Sequence, residues 1–330
     1  MSVAKEQREK LIWEFPNIGK KAPEQEEKAF AYCEGYKEFL NAAKTEREFV
    51  REAVLRLKEA GYEEFEEGKI YQPGDKVYQI NRKKALLMST FGKRPLEDGV
   101  RINVAHIDSP RLDLKPNPLY EKAEAAYFKT HYYGGIRKYQ WATIPLAMHG
   151  VVILKDGTSV DICIGEKEGD PVFCVTDLLP HLAAQQNERK LKDGIKGEEL
   201  NIIVGSLPYP CEEEDSIKEP VKLLALSILN ERFGMTEKDF LRAEIEFVPA
   251  VKATDVGLDR SLVGAYGQDD KVCGYTALMA EIEAKDPEYT TVTILSDKEE
   301  IGSVGATGMT SRFFENTVAE IMMLAGEDSP

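Results

Sequence analysis

The chain has 330 residues, of which 42% are hydrophobic and 31% charged, and its formal net charge is −15. This composition predicts a soluble protein of about two domains, and the negative charge disfavours nucleic acid and anionic membranes as partners because their phosphates would be repelled. The five cysteines lack CxxC spacing, which excludes a zinc ribbon. With no secretion signal and no apolar run near the ~20 residues of a membrane span, we expect a cytoplasmic location.

The first third of the chain predicts one long helix followed by two strands. Apolar residues at helical spacing predict a helix over about residues 23–60, with Gly61 as its stop. Strands are predicted from Ala85 to Thr90 and from Gly99 to Ala105. The second of these strands leads directly into His106.

The middle of the chain is predicted to be rich in β-structure. A turn at 132–135 precedes a hairpin around Asp156-Gly157 and a short strand from Pro171 to Val175. The polar stretch between about 186 and 220, which contains the acidic run at 212–215, is predicted to be a loop. A helix from Pro220 to Phe233 follows it.

The last third returns to alternating strands and helices. The predicted elements are a strand from Leu241 to Val251, a helix from Lys271 to Ala284, a strand from Thr291 to Ser296, and a final helix that begins after Thr310 or Ser311 and includes Ala325. We therefore predict an α/β fold, with one domain formed by residues 1–114 and 248–330 and interrupted by a β-rich insertion at 115–247.

Glu299 and Glu300 are adjacent carboxylates between a predicted buried strand and the glycine-rich segment that starts at Gly302. In a hydrolase, one such glutamate binds a metal while its neighbour takes a proton from a metal-bound water. The alternative is a solvated charged turn.

His106 and Asp108 stand at the end of another predicted strand. Their spacing puts both side chains on the same side of an extended chain, so Asp108 could orient a metal-bound His106. The alternative is a strand-end turn closed by Ser109-Pro110. We interpret His131 and His149 as structural.

Asp269 and Asp270 begin a predicted helix. Taken alone, this pair is better explained by capping of the helix N-terminus. A carboxylate that bridges two cations also needs a fixed position, and Gly264 and Gly267 permit an unusual backbone there. Together, the three segments supply His, Asp and Glu ligands, a set that suits zinc, cobalt or manganese. The sequence contains no GxSxG, GxxxxGK[ST] or HExxH signature.

Three segments, NVAHIDSPRLDLKPNPLYE (103–121), GAYGQDDKVCGYTAL (264–278) and SDKEEIGSVGATG (296–308), resemble the metal-site motifs of the aspartyl aminopeptidase family, and of its bacterial branch in particular. The resemblance runs in order through nearly the whole chain. It implies a metallopeptidase-type mixed sheet flanked by helices, with an inserted dimerisation domain. It also implies peptide substrates, two zinc ions per complete site, with cobalt or manganese possible, and a dimer building block for a dodecamer.

The resemblance also assigns roles to individual residues. His106 and Glu300 resemble zinc ligands, and Asp269 resembles the aspartate that bridges both metals. Asp108 resembles the carboxylate that orients the histidine, and Glu299 the general base. His181, in the segment Leu179-Pro180-His181-Leu182-Ala183, resembles a histidine that reaches a neighbouring subunit's active site and steadies the substrate.

Two departures from the family pattern are present. Lys298 stands where many relatives carry histidine. The remaining two family ligands, an aspartate and a histidine, lie downstream of the glutamate pair, but no histidine follows His181, and the only later acids are Glu315, Glu320, Glu327 and Asp328. We therefore expect a C-terminally truncated member with an incomplete site.

Two other functions remain open at this point. Dinuclear carboxylate sites also occur in deacylases and carboxypeptidases. The chain could instead be a non-catalytic assembly subunit, which the missing ligands favour, whereas the retention of His106, Asp269, Glu299 and Glu300 favours an enzyme.

Overall fold

The computed structural model describes residues 2–13, 22–210 and 217–324. Its α-helices are α1 (Val3–Leu11), α2 (Glu26–Ala42), α3 (Glu46–Glu59), α4 (Ala184–Asn187), α5 (Pro220–Phe233), α6 (Gln268–Glu283) and α7 (Phe313–Leu324). Short 3-10 helices occur at Pro23–Gln25, Leu96–Asp98, Lys138–Trp141, Leu191–Asp193, Gly197–Glu199, Glu237–Arg242 and Glu299–Ile301.

The strands form two large sheets and one small hairpin. They are β1 (Glu63–Glu64), β2 (Lys76–Asn81), β3 (Ala85–Thr90), β4 (Arg101–His106), β5 (Arg111–Lys122), β6 (Ala125–Tyr133), β7 (Leu146–Ile153), β8 (Ser159–Ile164), β9 (Cys174–Val175), β10 (Ile202–Gly205), β11 (Ala243–Pro249), β12 (Thr254–Val256), β13 (Leu262–Gly264) and β14 (Thr291–Ser296).

The first sheet is mixed and has the order β1-β2-β3-β14-β4. Alternate side chains of its strands face opposite sides, so that Leu86 and Met88 join a core with α2, α3 and α6, while Leu87 joins a second core that includes Ile321 of α7. Helices therefore cover both faces of the sheet. Strand β14 runs parallel to β4, in a register that places Ser296 beside His106.

The second sheet is entirely antiparallel and has the order β8-β7-β11-β5-β6-β10-β9. Helix α5 contributes Val221, Ala225 and Leu229 to its hydrophobic core. Strand β5 starts at Arg111, directly after the segment that leaves β4 of the mixed sheet. The α/β fold class and the β-rich middle of the chain are thus confirmed, while the domain boundaries at 114/115 and 247/248 stay a prediction.

The predicted helix over residues 23–60 is two helices, and the prediction of one was wrong. Thr45 begins α3 with a capping box, in which the amide of Glu48 donates to the Thr45 hydroxyl and the Glu48 carboxylate accepts from the Thr45 amide. A residue that caps a new helix has non-helical backbone angles, so α2 and α3 are separate.

The predicted loop at 186–220 contains a paired strand. Strand β10 lies between β6 and β9, and Ile202 is fully buried. The apolar run at 202–204 was the local signal for it. The strand predicted from Pro171 to Val175 is shorter, because only Cys174 and Val175 pair with β10, and the final helix begins at Phe313.

Several sequence predictions lie outside the described residues. These are the acidic run at 212–215, Cys211, the helix residue Ala325, and the late acids Glu327 and Asp328. Within the described part of the chain, no helix is long and apolar enough to cross a membrane.

Candidate metal and catalytic site

His106 lies where the two parallel strands of the mixed sheet end together. Because β4 and β14 are parallel and in register, their C-terminal ends meet at one edge, with His106 as the last residue of the first strand and Glu299 shortly after the end of the second. The amide of Ile107 donates to the carbonyl of Ser296 at 2.9 Å, which holds the two exits side by side. Strand pairing therefore brings the first and third sequence motifs into contact.

The second motif joins them at the start of α6. Gly267 has a positive φ of 79°, and Asp269 and Asp270 have non-helical backbone angles before the regular helix begins. The peptide bond between Asp269 and Asp270 is cis. The Asp269 carboxylate at this start lies beside the His106 ring.

The three motifs converge at Nε2, on one edge of the His106 ring. Nε2 of His106 lies 3.2 Å from Oδ1 of Asp269 and 3.6 Å from Oε2 of Glu299. The side chain of Asp269 is 86% exposed and that of Glu299 is 56% exposed, so this face of the site opens to solvent.

Asp108 occupies the opposite side of the ring and is fully buried. Its Oδ1 lies 3.3 Å from Nδ1 of His106, and its backbone carbonyl lies 3.0 Å from the same nitrogen. The amides of Glu299 and Glu300 also donate to its two carboxylate oxygens, at 3.2 and 3.3 Å. One buried carboxylate therefore contacts both the histidine and the backbone of the glutamate pair.

These contacts determine the charges of His106 and Asp108. Burial opposes a charge on His106, but the hydrogen bond with Asp108 and the carboxylates of Asp108 and Glu299 outweigh it and raise the pKa of His106 to about 9. Burial also acts against the Asp108 charge, but the bonds from His106 and Tyr133 outweigh it and hold the pKa of Asp108 below its ordinary value.

Glu300 is turned toward the antiparallel sheet. Its Oε2 accepts a hydrogen bond from the amide of Gly135 at 3.3 Å. Burial raises the pKa of Glu300, and the nearby carboxylates of Asp108 and Asp269 act in the same direction. The Glu300 carboxylate thus lies beside the first group, on the side of the antiparallel sheet.

His181 lies apart from these residues. It occupies an exposed turn after β9, flanked by the exposed side chains of Leu179 and Leu182. Within the described chain, His181 forms no hydrogen bond or ion pair with the residues around His106. The other two histidines also lie apart from this centre: His149 is buried between Glu48 and Glu166, and His131 is exposed.

The donor types at this centre fit zinc. An imidazole nitrogen facing carboxylate oxygens is a ligand set that zinc accepts. Among residues 2–13, 22–210 and 217–324, however, no group of three or more His, Cys, Asp or Glu side chains is arranged to hold a metal ion. The described residues therefore supply donor types that zinc accepts, without a set of three that is arranged to hold it.

Residues of the antiparallel sheet also reach the centre, although their sequence pattern predicts only a turn at 132–135. The Tyr133 hydroxyl donates to Oδ2 of Asp108 at 2.7 Å. Burial and the Asp108 charge raise the pKa of Tyr133, so its hydroxyl stays protonated and can donate. A tyrosine next to paired glycines at the end of an alternating strand was the only local signal for this contact.

The family model of the aminopeptidase I zinc metalloproteases (M18) matches residues 39–329. The chain belongs to this M18 family of zinc aminopeptidases, which confirms the resemblance seen in the three motifs.

Individual relatives agree with this assignment. A probable M18 family aminopeptidase 1 of Clostridium acetobutylicum is 51% identical over 322 residues, covering 96% of this chain and 69% of the relative. One from Borrelia garinii is 46% identical, covering 91% of this chain and 65% of the relative. The crystal structure of an M18 family aminopeptidase from Thermotoga maritima is 46% identical with a TM-score of 0.90, covering 96% of this chain and 69% of that one. The chain thus spans about two thirds of the length of these relatives.

Proposed function

We propose that this chain carries the zinc-binding and proton-transfer residues of an aminopeptidase that removes N-terminal residues from peptides. The observation that carries the proposal is the convergence of His106, Asp269 and Glu299 at the shared exit of two parallel strands. Membership of a zinc aminopeptidase family supports the same reaction.

His106, Asp269 and Glu300 are the residues that we propose would hold zinc. When bound, zinc would act as a Lewis acid and lower the pKa of a water molecule. Cobalt or manganese would suit the same nitrogen and oxygen donors.

Asp108 orients His106 in this proposal. Because Oδ1 of Asp108 is near Nδ1, it favours a proton on that nitrogen in the neutral imidazole, so that Nε2 would carry the lone pair for a metal once its own proton is displaced. The bonds from the Glu299 and Glu300 amides keep Asp108 from rotating away.

Glu299 is the proposed general base. Its Oε2 lies on the solvent side of the site, close to Nε2 of His106. Its side chain is 56% exposed, so it can exchange protons with a substrate. In this role the carboxylate accepts a proton from water and passes it to the leaving amine of the peptide.

We propose that the metal site needs ligands in addition to those among the described residues for full activity. The support is that none of the groups within the described ranges forms a three-ligand metal cluster. The first experiment is therefore zinc and cobalt stoichiometry on the purified 330-residue chain, with His106→Ala as the test variant and the exposed His131→Ala as its matched control. Metal that is lost only in the His106 variant supports the proposal, whereas equal metal content in all three proteins would overturn the ligand assignment.

A substrate panel tests the reaction itself. Amino-acyl anilides carry a free α-amine, whereas N-acyl amino acids do not, so hydrolysis of the first alone supports an aminopeptidase. Hydrolysis of the second would indicate a deacylase.

The partial ligand set also favours a second candidate function, that of an assembly subunit. We propose that the chain forms a homo-oligomer through its antiparallel-sheet unit, where Leu178, Leu179 and Leu182 are exposed around His181. Solution mass of the chain with and without a full-length relative separates a self-assembling enzyme from a subunit that pairs only with another chain.

We also propose a cytoplasmic location, which is supported by the described cysteines, since these are free.

A further inference from the structure

Tyr133 ends strand β6 of the antiparallel sheet, yet its hydroxyl contacts a residue that follows the mixed sheet. The side chain is buried, and its oxygen lies 2.7 Å from Oδ2 of Asp108. Asp108 is itself fully buried, so water cannot replace this donor. The hydrogen bond therefore ties the antiparallel sheet to the carboxylate that contacts His106.

The buried guanidinium of Arg111 packs over the Tyr133 ring. The guanidinium carbon of Arg111 lies 3.8 Å from the ring centroid, a cation–π distance. Arg111 is held in turn by Asp113 at 2.8 Å and by Glu46 at 3.3 Å. The positive charge over the ring also polarises the phenol and makes its hydroxyl a better donor to Asp108.

A second contact comes from the same turn. The amide of Gly135 donates to Oε2 of Glu300, and a Cβ atom on Gly134 would lie 2.7 Å from that oxygen. Residues 133–135 thus touch the site at two carboxylates. A tyrosine that served only to fill the core would not need its oxygen placed on Asp108.

We propose that Tyr133 is a positioning residue of the metal site. Its hydroxyl fixes the carboxylate of Asp108, which in turn fixes the His106 ring and the amides of Glu299 and Glu300. This inference rests on the proposed function, because it concerns how the proposed ligands are held.

The test is Tyr133→Phe, which removes one oxygen and keeps the ring over Arg111. Tyr132→Phe is the matched control, because Tyr132 is the next residue on the strand, is 37% exposed and stacks on His131. Three quantities are measured on each protein: cobalt affinity with the cobalt absorption spectrum, melting temperature, and hydrogen exchange of the amides in residues 298–302 of the metal-free chain.

For Tyr133→Phe we expect cobalt binding to be about 10- to 100-fold weaker, with an altered spectrum, because loss of an outer hydrogen bond to a metal-binding group has effects of this size. We also expect faster exchange of the Glu299 and Glu300 amides. Tyr132→Phe should match the wild type in all three measurements. A purely structural role would lower the melting temperature of Tyr133→Phe and leave its cobalt affinity and spectrum unchanged.

Cobalt affinity within twofold of wild type, together with unchanged exchange at residues 299 and 300, would overturn the inference. If the wild-type chain binds no cobalt, the proposed function fails for this chain, and the exchange measurement then decides alone: faster exchange supports the positioning role and equal exchange rejects it.

Discussion

The backbone amide of Glu299 donates a hydrogen bond to Oδ1 of Asp108 at 3.2 Å, so the carboxylate that contacts His106 also holds the proposed base in place. The motif at the end of β4 and the motif at the end of β14 are therefore one hydrogen-bonded unit. A change at Asp108 should disturb both the histidine and the glutamate turn.

Asp108→Asn should weaken zinc binding about 10- to 100-fold and lower the free energy of unfolding by about 1–3 kcal/mol. The amide nitrogen of asparagine cannot accept from the donors that now meet in the buried pocket. Isothermal titration with zinc and urea denaturation measure the two effects. Asp161→Asn, at an exposed position, is the control and should change neither. Wild-type affinity in Asp108→Asn would show that this carboxylate does not orient the histidine.

Glu299→Gln should reduce kcat by about 10²- to 10⁴-fold in any preparation that shows peptidase activity, because glutamine cannot accept the proton. Bound zinc should be retained, since Glu299 is the proposed base and Glu300 the proposed ligand. Glu300→Gln is the comparison, and it should lose metal as well as activity. Near-normal turnover in Glu299→Gln would require a different base.

Alanine at position 134 should damage the site, whereas alanine at position 135 should be tolerated. Gly134 has a φ of +76°, and its added Cβ would lie 2.7 Å from Oε2 of Glu300, whereas a Cβ on Gly135 would meet nothing within 4 Å. Gly134→Ala should therefore lower metal content and melting temperature relative to Gly135→Ala. Metal analysis and thermal denaturation of the two variants make the comparison, and equal values for both would contradict the contact with Glu300.

Loss of the His149 proton should make the protein less stable at alkaline pH. Its Nδ1 lies 2.8 Å from Glu48 and its Nε2 lies 3.1 Å from Glu166, with Lys44 and Lys252 also facing Glu166. Burial opposes the imidazolium charge, but the bonds to Glu166 and Glu48 outweigh it and raise the pKa of His149 to about 9. Both ring nitrogens can donate only in the protonated form.

The sign of this effect follows from the raised pKa. The stabilisation is fully present below the unfolded pKa of about 6.5 and is lost as the pH rises through about 9. The loss is on the order of 3 kcal/mol at most by linkage. Urea denaturation from pH 6 to 10 should show the decline in wild type and a flatter profile in His149→Gln, with His131→Gln behaving as wild type. An equal slope in all three proteins would assign the decline to other groups.

Arg111→Met should lower the free energy of unfolding by roughly 3–5 kcal/mol, because it removes the cation beside buried Glu246 and leaves buried Glu46 with Lys84 alone, 3.0 Å away. Arg111 contacts Glu46 at 3.3 Å and Glu246 at 3.2 Å, and all three side chains are buried. Arg260→Met is the control, because Arg260 is 67% exposed in its pair with Asp255 and its loss should hardly change the free energy of unfolding. Similar losses of unfolding free energy in the two variants would show that burial of the Arg111 ion pairs does not increase their contribution to stability.

The residues around the site were predictable because strand exits are local features. The alternation before His106 and the apolar run before Glu299 mark strands by side-chain period alone, and polar groups that follow buried strands stand out against them. The α/β class and the β-rich middle also follow from these periods. The capped break at Thr45 was equally local, but the apolar pattern across it concealed the start of a second helix.

The amino-acid sequence by itself determined that a strand leads into His106 and Asp108, that a second strand precedes Glu299 and Glu300, and that Asp269 stands at the start of a helix. Only the tertiary structure decided that β4 and β14 pair in parallel, with Ser296 beside His106, and that Tyr133 of the other sheet donates to Asp108. The physical reason is that side-chain period is a property of neighbours along the chain. Strand register and contacts between sheets depend instead on surfaces that meet only after folding.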